Sequence, residues 1–426
     1  MCFFSNGSRL ARLPLLLFSG VAFVSQCSAW EGSPIAKRLE AARESAVKKP
    51  VASSYNELAQ VLMRRARETD DQRMCAEGGR VVERSLAAEP QNFEARRTRV
   101  TVLLCEKRWS DALEQATTLN QKVPDDVAMW GYIADAQMGL GNYAAAEKAA
   151  QWMIDMRQVN PQGLQRGAEL REIFGFNDAA VEWWSSALRL TSATDLEERA
   201  WITTRIARVQ RIVGHLDDAE RNAAGALSLV DDYPWALDEL GRSALQRKSY
   251  DRAIERFTRR LQVADSPSVR YELGLALDRA GRHEEALKVW TEFEKQALAC
   301  AGLPANADVA LIRYYAGPGK KPTEAIRISK LLLQSRHDIE IRAAYATALA
   351  ANGDWKAAGE QMALALEPGV KDPEWLLQAG TISREAGDAE GAKHYFQAAL
   401  EAGPASPLAG RIIEALTTLA PTARRE

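Results

Sequence analysis

Between Trp235 and Phe293 the apolar positions spell one pattern twice. Leu237, Leu240, Gly241 and Ala244 stand at i, i+3, i+4 and i+7, one apolar stripe down a helix. Ser249 and Tyr250 predict a turn, and Asp251 is placed to cap a second helix. Ala253, Ile254 and Phe257 give that helix a face to lay on the first. Thirty-three residues further on, Leu273-Gly274, Leu277, Ala286 and Trp290 repeat the arrangement. Gly241 and Gly274 lack a side chain that would hold the neighbouring helix away. A lone pair of this kind leaves its stripe half covered, so the pattern predicts a stack in which each pair shields the next.

The same spacing can be followed along most of the chain. A divergent first unit reads as Tyr55 to Arg67 and Met74 to Ala88, and a second runs from Phe93 to Pro124 with Trp109 at its turn. The third carries Trp130, Ile133, Ala134, Gly141, Tyr143 and Ala146. The fourth carries Leu164, Gly167, Ala168, Gly175, Ala180 and Trp184. Turn glycines at 141, 175, 214, 281, 353 and 387 are separated by 34, 39, 67, 72 and 34 residues, that is, by one or two units with a few residues inserted twice. One insertion is placed at Thr191 to Glu198. The fifth, sixth and seventh units begin near Ala200, Pro234 and Pro267. The eighth is irregular: Asp308 to Tyr315, a Gly-Pro loop, then Thr323 to Gln334 with Thr323 as cap. The ninth and tenth start at Ile339 and Pro373, and Leu408 to Leu419 reads as a closing helix.

This W/L-x-x-L-G-x-x-A/L, turn, A-x-x-x-F/W pattern resembles the tetratricopeptide repeat (TPR). The resemblance implies an all-α fold: a solenoid of about ten helix-turn-helix repeats in a right-handed superhelix with a C-terminal capping helix. The resulting map is a leader over 1–29, a polar lead-in over 30–52, the array over 53–404, and a cap and tail over 405–426. The aromatics Trp109, Tyr143, Tyr250 and Trp355, each just before a second helix, read as packing residues wedged between the two helices of their own repeat. In this family the first helices line a concave surface, with positions 2, 5, 9 and 12 pointing into it. Carried over, those positions and their neighbours nominate Trp201, Arg208, Arg211, Trp235, Arg242, Tyr271 and Arg279 as partner-binding. Forked guanidinium groups take carboxylates and rings take apolar side chains, so the expected partner is an acidic or aromatic extended segment of a protein. The opposite reading is a solvated helix face whose arginine stems cover neighbouring rings. Some relatives clamp a C-terminal carboxylate with Lys and Asn from adjacent repeats, a combination that does not occur here.

Composition narrows the class. The chain is 46% hydrophobic and 26% charged, with a formal net charge of −2, and shows no basic stripe of the kind a nucleic-acid partner needs. Arg9 and Arg12 precede a short apolar run from Leu13 to Val24, and Cys27-Ser28-Ala29 offers small residues before Trp30. This reads as an export leader cleaved after Ala29, since the run is shorter than the roughly 20 residues that span a bilayer. The alternative is a lipoprotein acylated at Cys27, although Gln26 is bulkier than the residue that usually precedes such a cysteine. Losing Arg9 and Arg12 takes the charge from −2 to −4. The expected location is a bacterial-type envelope, periplasmic or secreted, with no membrane span.

Cys75, Cys105 and Cys300 remain after cleavage. Cys75 and Cys105 lie 15 residues before and after Pro90, on segments that read as antiparallel helices, which places them at one height and predicts a disulfide. Two separately buried thiols are the alternative. Candidate chemistry is thin. Gly319-Lys320 lacks the upstream glycine and the following Ser or Thr of a phosphate loop. The histidines at 215, 283, 337 and 394 are too dispersed for a triad or a metal site, and no cofactor or small-molecule substrate is indicated. The sequence therefore reads as a non-enzymatic protein–protein interaction adaptor. Two alternatives remain open: a structural subunit bracing an envelope secretion or exopolysaccharide assembly, and an accessory arm of a separately encoded enzyme.

Overall fold

A computed structural model describes residues 33–157, 159–299 and 308–419. The expected leader, Cys27 and Cys300 fall outside the described residues. Among those described there are 22 helices and no strand. A first helix, α1 (Pro34–Lys48), is followed by ten helical pairs. The first five pairs are α2 (Ala52–Thr69) with α3 (Gln72–Ala88), α4 (Phe93–Cys105) with α5 (Trp109–Lys122), α6 (Val127–Gly139) with α7 (Tyr143–Met156), α8 (Pro161–Ile173) with α9 (Asn177–Leu190), and α10 (Leu196–Ile212) with α11 (Leu216–Leu229). The next five are α12 (Pro234–Gln246) with α13 (Tyr250–Val263), α14 (Pro267–Arg279) with α15 (His283–Ala299), α16 (Asp308–Ala316) with α17 (Pro322–Leu332), α18 (Ile339–Ala351) with α19 (Trp355–Leu366), and α20 (Pro373–Glu385) with α21 (Ala389–Ala402). A final helix, α22 (Ala409–Leu419), closes the array. Each helix packs chiefly on the one before and the one after it, which is the signature of a solenoid.

The repeat's inner logic is visible at the glycines. A Cβ on Gly241 would lie 2.6 Å from the Phe257 ring, and one on Gly274 or Gly380 would overlap Trp290 or Phe396. The absent side chain is therefore filled by the aromatic of the second helix in the same pair. Those aromatics are buried, Phe257 and Phe396 completely. Burying such a ring is worth roughly 1.5–3 kcal/mol relative to exposure, and a glycine inside a helix costs only about 1.

Several expectations are corrected. The polar lead-in, where one short helix was expected, carries the 15-residue α1, which buries Ile35, Leu39, Ala42 and Ala46 against α2, one apolar face among charged neighbours. Its start is capped by Ser33, whose hydroxyl accepts from the amide of Ile35. The insertion between the fourth and fifth repeats is shorter than expected, because α10 already starts at Leu196 and spends the extra residues on another helical turn. Asp251 does not cap α13, and Thr323 does not cap α17. Ser249 and Lys321 occupy those cap positions with no side-chain hydrogen bond to the helix amides, and Asp251 acts instead as a first-turn charge. Trp109 is not confined to its own pair, since its ring fills the space beside Gly139 of the next repeat.

Tyr143 also departs from expectation, and it leads to a larger feature. Its hydroxyl oxygen accepts from the backbone N–H of Ile339 at 3.1 Å, 196 residues away. The Ser266 hydroxyl donates to the Asp70 carboxylate at 2.9 Å, also across 196 residues. A Cβ on Gly141 would stand 2.8 Å from the His337 carbonyl oxygen, and one on Gly175 would stand 3.0 Å from Lys371 Cα. The corner of repeat n thus rests on the loop leading into repeat n+6: first on seventh, third on ninth, fourth on tenth, and Gly214 of the fifth on Ala405 and Ser406 before α22. The superhelix closes on itself after about six repeats. Between the third and fourth repeats and the ninth and tenth, this seam has its own apolar core of Tyr143, Ala146, Ala150 and Leu170 with Ile339 and Val370.

Candidate protein-binding surface

The first helices of successive repeats face one another along the inside of this coil. Their charged residues join into a ladder whose rungs run from one repeat to the next. Arg166 forks onto Asp135 with 2.8 and 2.5 Å contacts. Glu172 takes both Arg205 at 2.8 Å and Arg208 at 2.7 Å. Glu239 takes Arg211 at 2.6 Å and Arg242 at 3.3 Å, and Arg242 continues to Glu272 at 3.7 Å. Glu239 is almost wholly buried, which raises its pKa, but Arg211 and Arg242 outweigh this and hold it down to about 2.

This ladder decides the fate of the nominated residues. Arg211 and Arg242 face inward but are engaged with Glu239. Arg208 pairs with Glu172 while its side chain stays 42% exposed, leaving part of the guanidinium open. Arg279, exposed at the end of α14, has no ion-pair partner among the described residues. Tyr271 packs its ring 5.8 Å from Phe293, and burial, reinforced by Glu272, pushes its phenol up to about 12. Its ring is thus part of the wall.

Trp201 and Trp235 are brought together edge to face, 5.5 Å apart, at the starts of α10 and α12. They do not face open solvent. The end of α2 lies on them: the Trp235 indole N–H donates to the Arg67 carbonyl at 2.7 Å, and the Arg67 guanidinium sits 5.7 Å from the Trp201 ring centre. Arg67 also pairs with Glu197 and, at 2.8 Å, with Glu198, while Arg64 reaches Asp195 at 2.9 Å. Arg64, Arg67 and the acidic rungs were missed by reasoning from groove positions alone. The glutamates carried a readable signal, standing 27 to 36 residues from their arginines, one repeat apart. The α2 contact carried none, since nothing local marks a pairing 168 residues distant.

One further pair lies beneath this region. Arg260 of α13 is fully buried and contacts Asp238 at 3.4 Å and the Thr69 carbonyl at 3.4 Å. Burial pushes Asp238 up to about 6, with Arg260 and Arg242 only partly offsetting it. No group of three or more potential metal ligands is found among the described residues, and none of their helices is long and apolar enough to cross a membrane.

A solenoid of helical pairs with a charged inner face defines the class as a repeat scaffold. Residues 100–156 and 239–297 match the tetratricopeptide repeat family. No curated protein matches it in sequence. Among solved structures it is similar to human IFIT1, crystallised as a dimer with PPP-AAAA, at 13% identity over 87% of this chain and 96% of that one, TM-score 0.49. It is also similar to a chain of the APC/C hetero-tetramer Cut9–Hcn1, at 12% identity over 85% of this chain, TM-score 0.42, and spans 55% of that chain's length. A tetratricopeptide repeat protein from Parabacteroides merdae aligns at 17% identity over 62% of this chain and 99% of that one, TM-score 0.38.

Proposed function

We propose that the chain is an exported adaptor whose inner face holds an extended, acidic or aromatic segment of a protein partner. Repeat scaffolds of this kind act as protein–protein interaction modules, and the inner ladder is the observation that supports a segment as the occupant here. Along it the half-exposed Arg208 in the fifth repeat and Arg279 in the seventh, which has no ion-pair partner among the described residues, offer forked donors, with the mixed pair Arg313 and Glu340 further on. Carboxylates spaced along an extended chain would meet them bidentately, and most of the ladder is already held in place by its own rungs.

The test follows from how each arginine is anchored. Reversing Arg242 would place a like charge beside the buried Glu239 and damage the fold, so it is the wrong probe. Arg208→Gln with Arg279→Glu removes the open donors, while Glu172 keeps Arg205 and the Glu239 rungs stay intact. With a partner isolated from envelope extracts, this double variant is expected to bind at least tenfold more weakly at unchanged helicity. Unaltered affinity would remove the groove from consideration.

A bracing role has one observation in its favour. Trp152 of α7 is 53% exposed and stacks on Trp130 with ring centres 5.5 Å apart. Loss of assembly in Trp152→Arg, with peptide binding retained, would favour that reading.

A further inference from the structure

The seam is built in two chemistries. Its C-terminal stretch is apolar, with Tyr143, Leu170, Ile339 and Val370 in one buried cluster. Its N-terminal stretch, where the end of α2 meets α10, α12 and α14, is polar throughout. Arg64 meets Asp195, Arg67 meets Glu197 and Glu198, Trp235 donates to the Arg67 carbonyl, and Ser266 donates to Asp70. Among the described residues no hydrophobic cluster joins α2 to those helices; its apolar residues lie with α1, α3 and α4. Water and counter-charges can replace polar contacts of this sort far more readily than an apolar core.

A second observation concerns the acceptors. Asp195, Glu197 and Glu198 all lie in the stretch where the turn-glycine spacing is 39 instead of 34 residues. The extra turn of α10 is thus where the contacts for α2 come from. A third concerns what is covered. The α2 end seats on Trp201 and Trp235, the two aromatic rings of the inner face that stand closest together there.

We propose that the end of α2, from Arg64 to Asp70, is a displaceable plug on the aromatic end of the groove, which an incoming segment must push aside. The proposal rests on the groove reading given above and adds self-inhibition to it. Cys75 on α3 is joined to Cys105 on α4, so α1 to α4 would lift as one piece, hinged at the following repeats while the apolar seam holds. A partner segment carrying an aromatic residue beside an acidic one would take over both halves of the contact. Its ring would take the place of Arg67 against Trp201 and Trp235, and its carboxylate would draw off Arg64 and Arg67.

The experiment reads plug movement without a ligand and ligand access separately. Ser266, buried and hydrogen-bonded to Asp70 at the end of the plug, is replaced in Ser266→Cys as a reporter, and thiol labelling at position 266 is followed by mass spectrometry. The plug is released by Arg64→Ala with Arg67→Ala and, from the other side, by Asp195→Asn with Glu198→Gln. Labelling is expected to quicken at least tenfold in both, with helicity and the Cys75–Cys105 bond retained. A fluorescent peptide of alternating glutamate and tryptophan is expected to bind the released forms at least tenfold more tightly than the parent. Unchanged labelling in both releases overturns the plug. Faster labelling with equal peptide affinity in released and parent forms also overturns it, because the plug would then guard nothing. Faster labelling with no peptide binding to any form upholds a displaceable plug and counts against the groove reading instead.

Discussion

Corner glycines offer a controlled perturbation of the seam. Gly214 and Gly353 occupy the same position in their repeats, with φ of +92° and +82°. Alanine at either must adopt the left-handed conformation, which costs roughly 1–2 kcal/mol. Their surroundings differ. At Gly353 a Cβ would meet nothing within 4 Å. At Gly214 it would overlap the Ala405 carbonyl oxygen and stand 2.6 Å from its carbon and 2.8 Å from Ser406 Cα. These are backbone atoms, so the corner or the loop must move, and such overpacking typically costs a further 1–3 kcal/mol. Gly353→Ala is therefore expected to destabilise by about 1–2 kcal/mol and Gly214→Ala by about 2–5. Unfolding by urea, followed by circular dichroism at 222 nm, gives the two values. Hydrogen exchange then locates the loss, which for Gly214→Ala should appear both in α10–α11 and across residues 403–408. Equal costs for the two substitutions, or a loss confined to α10–α11, would show that the coil does not close after six repeats.

Other expectations are more local. Thiol counting on the unfolded, unreduced chain from Trp30 onward should find one free thiol, Cys300, with Cys75 and Cys105 bonded; three free thiols would end that assignment. Closing their 30-residue loop is worth about 3–4 kcal/mol in the chain-entropy model, to be read as the drop in stability on reduction. Asp238 should titrate near 6 in carbon NMR, identified by the signal lost in Asp238→Asn. Its folded pKa lies above the unfolded value of about 3.9, so the folded chain favours the proton. This group's penalty, about 2–3 kcal/mol, is present above pH 6 and relieved as pH falls towards 4. A midpoint at 4 or below would contradict the burial argument. N-terminal sequencing of the exported form should begin at Trp30; a lipidated Cys27 would replace this with the anchored alternative.

The sequence carries the repeats openly because each is a local event. A stripe such as Leu237, Leu240 and Ala244, a glycine that takes a ring, and a corner glycine all lie within one 34-residue window. The first helix was harder to see, since Ile35, Leu39, Ala42 and Ala46 are diluted by lysines, arginines and glutamates that make the segment read as polar. The closure of the coil was not legible at all. It depends on small angles between repeats that accumulate over six units, and no single residue encodes them. For the same reason the inner face could be nominated but not weighed. Trp201 and Trp235 were rightly placed on first helices, yet the chain's own α2 covers them. Arg211 and Arg242 point inward, but to hold Glu239.

An inner face that holds a segment of another protein must place its crosslinks there. A photo-reactive amino acid placed in turn at positions 208 and 279 on the inner face, and at the exposed positions 152 and 287 elsewhere, tests this in envelope extracts. The expected result is one partner band crosslinked from 208 and 279, strengthened when Arg64→Ala and Arg67→Ala release the end of α2, and absent from 152 and 287. Crosslinks confined to 152 or 287, with none from 208 and 279, would contradict the account.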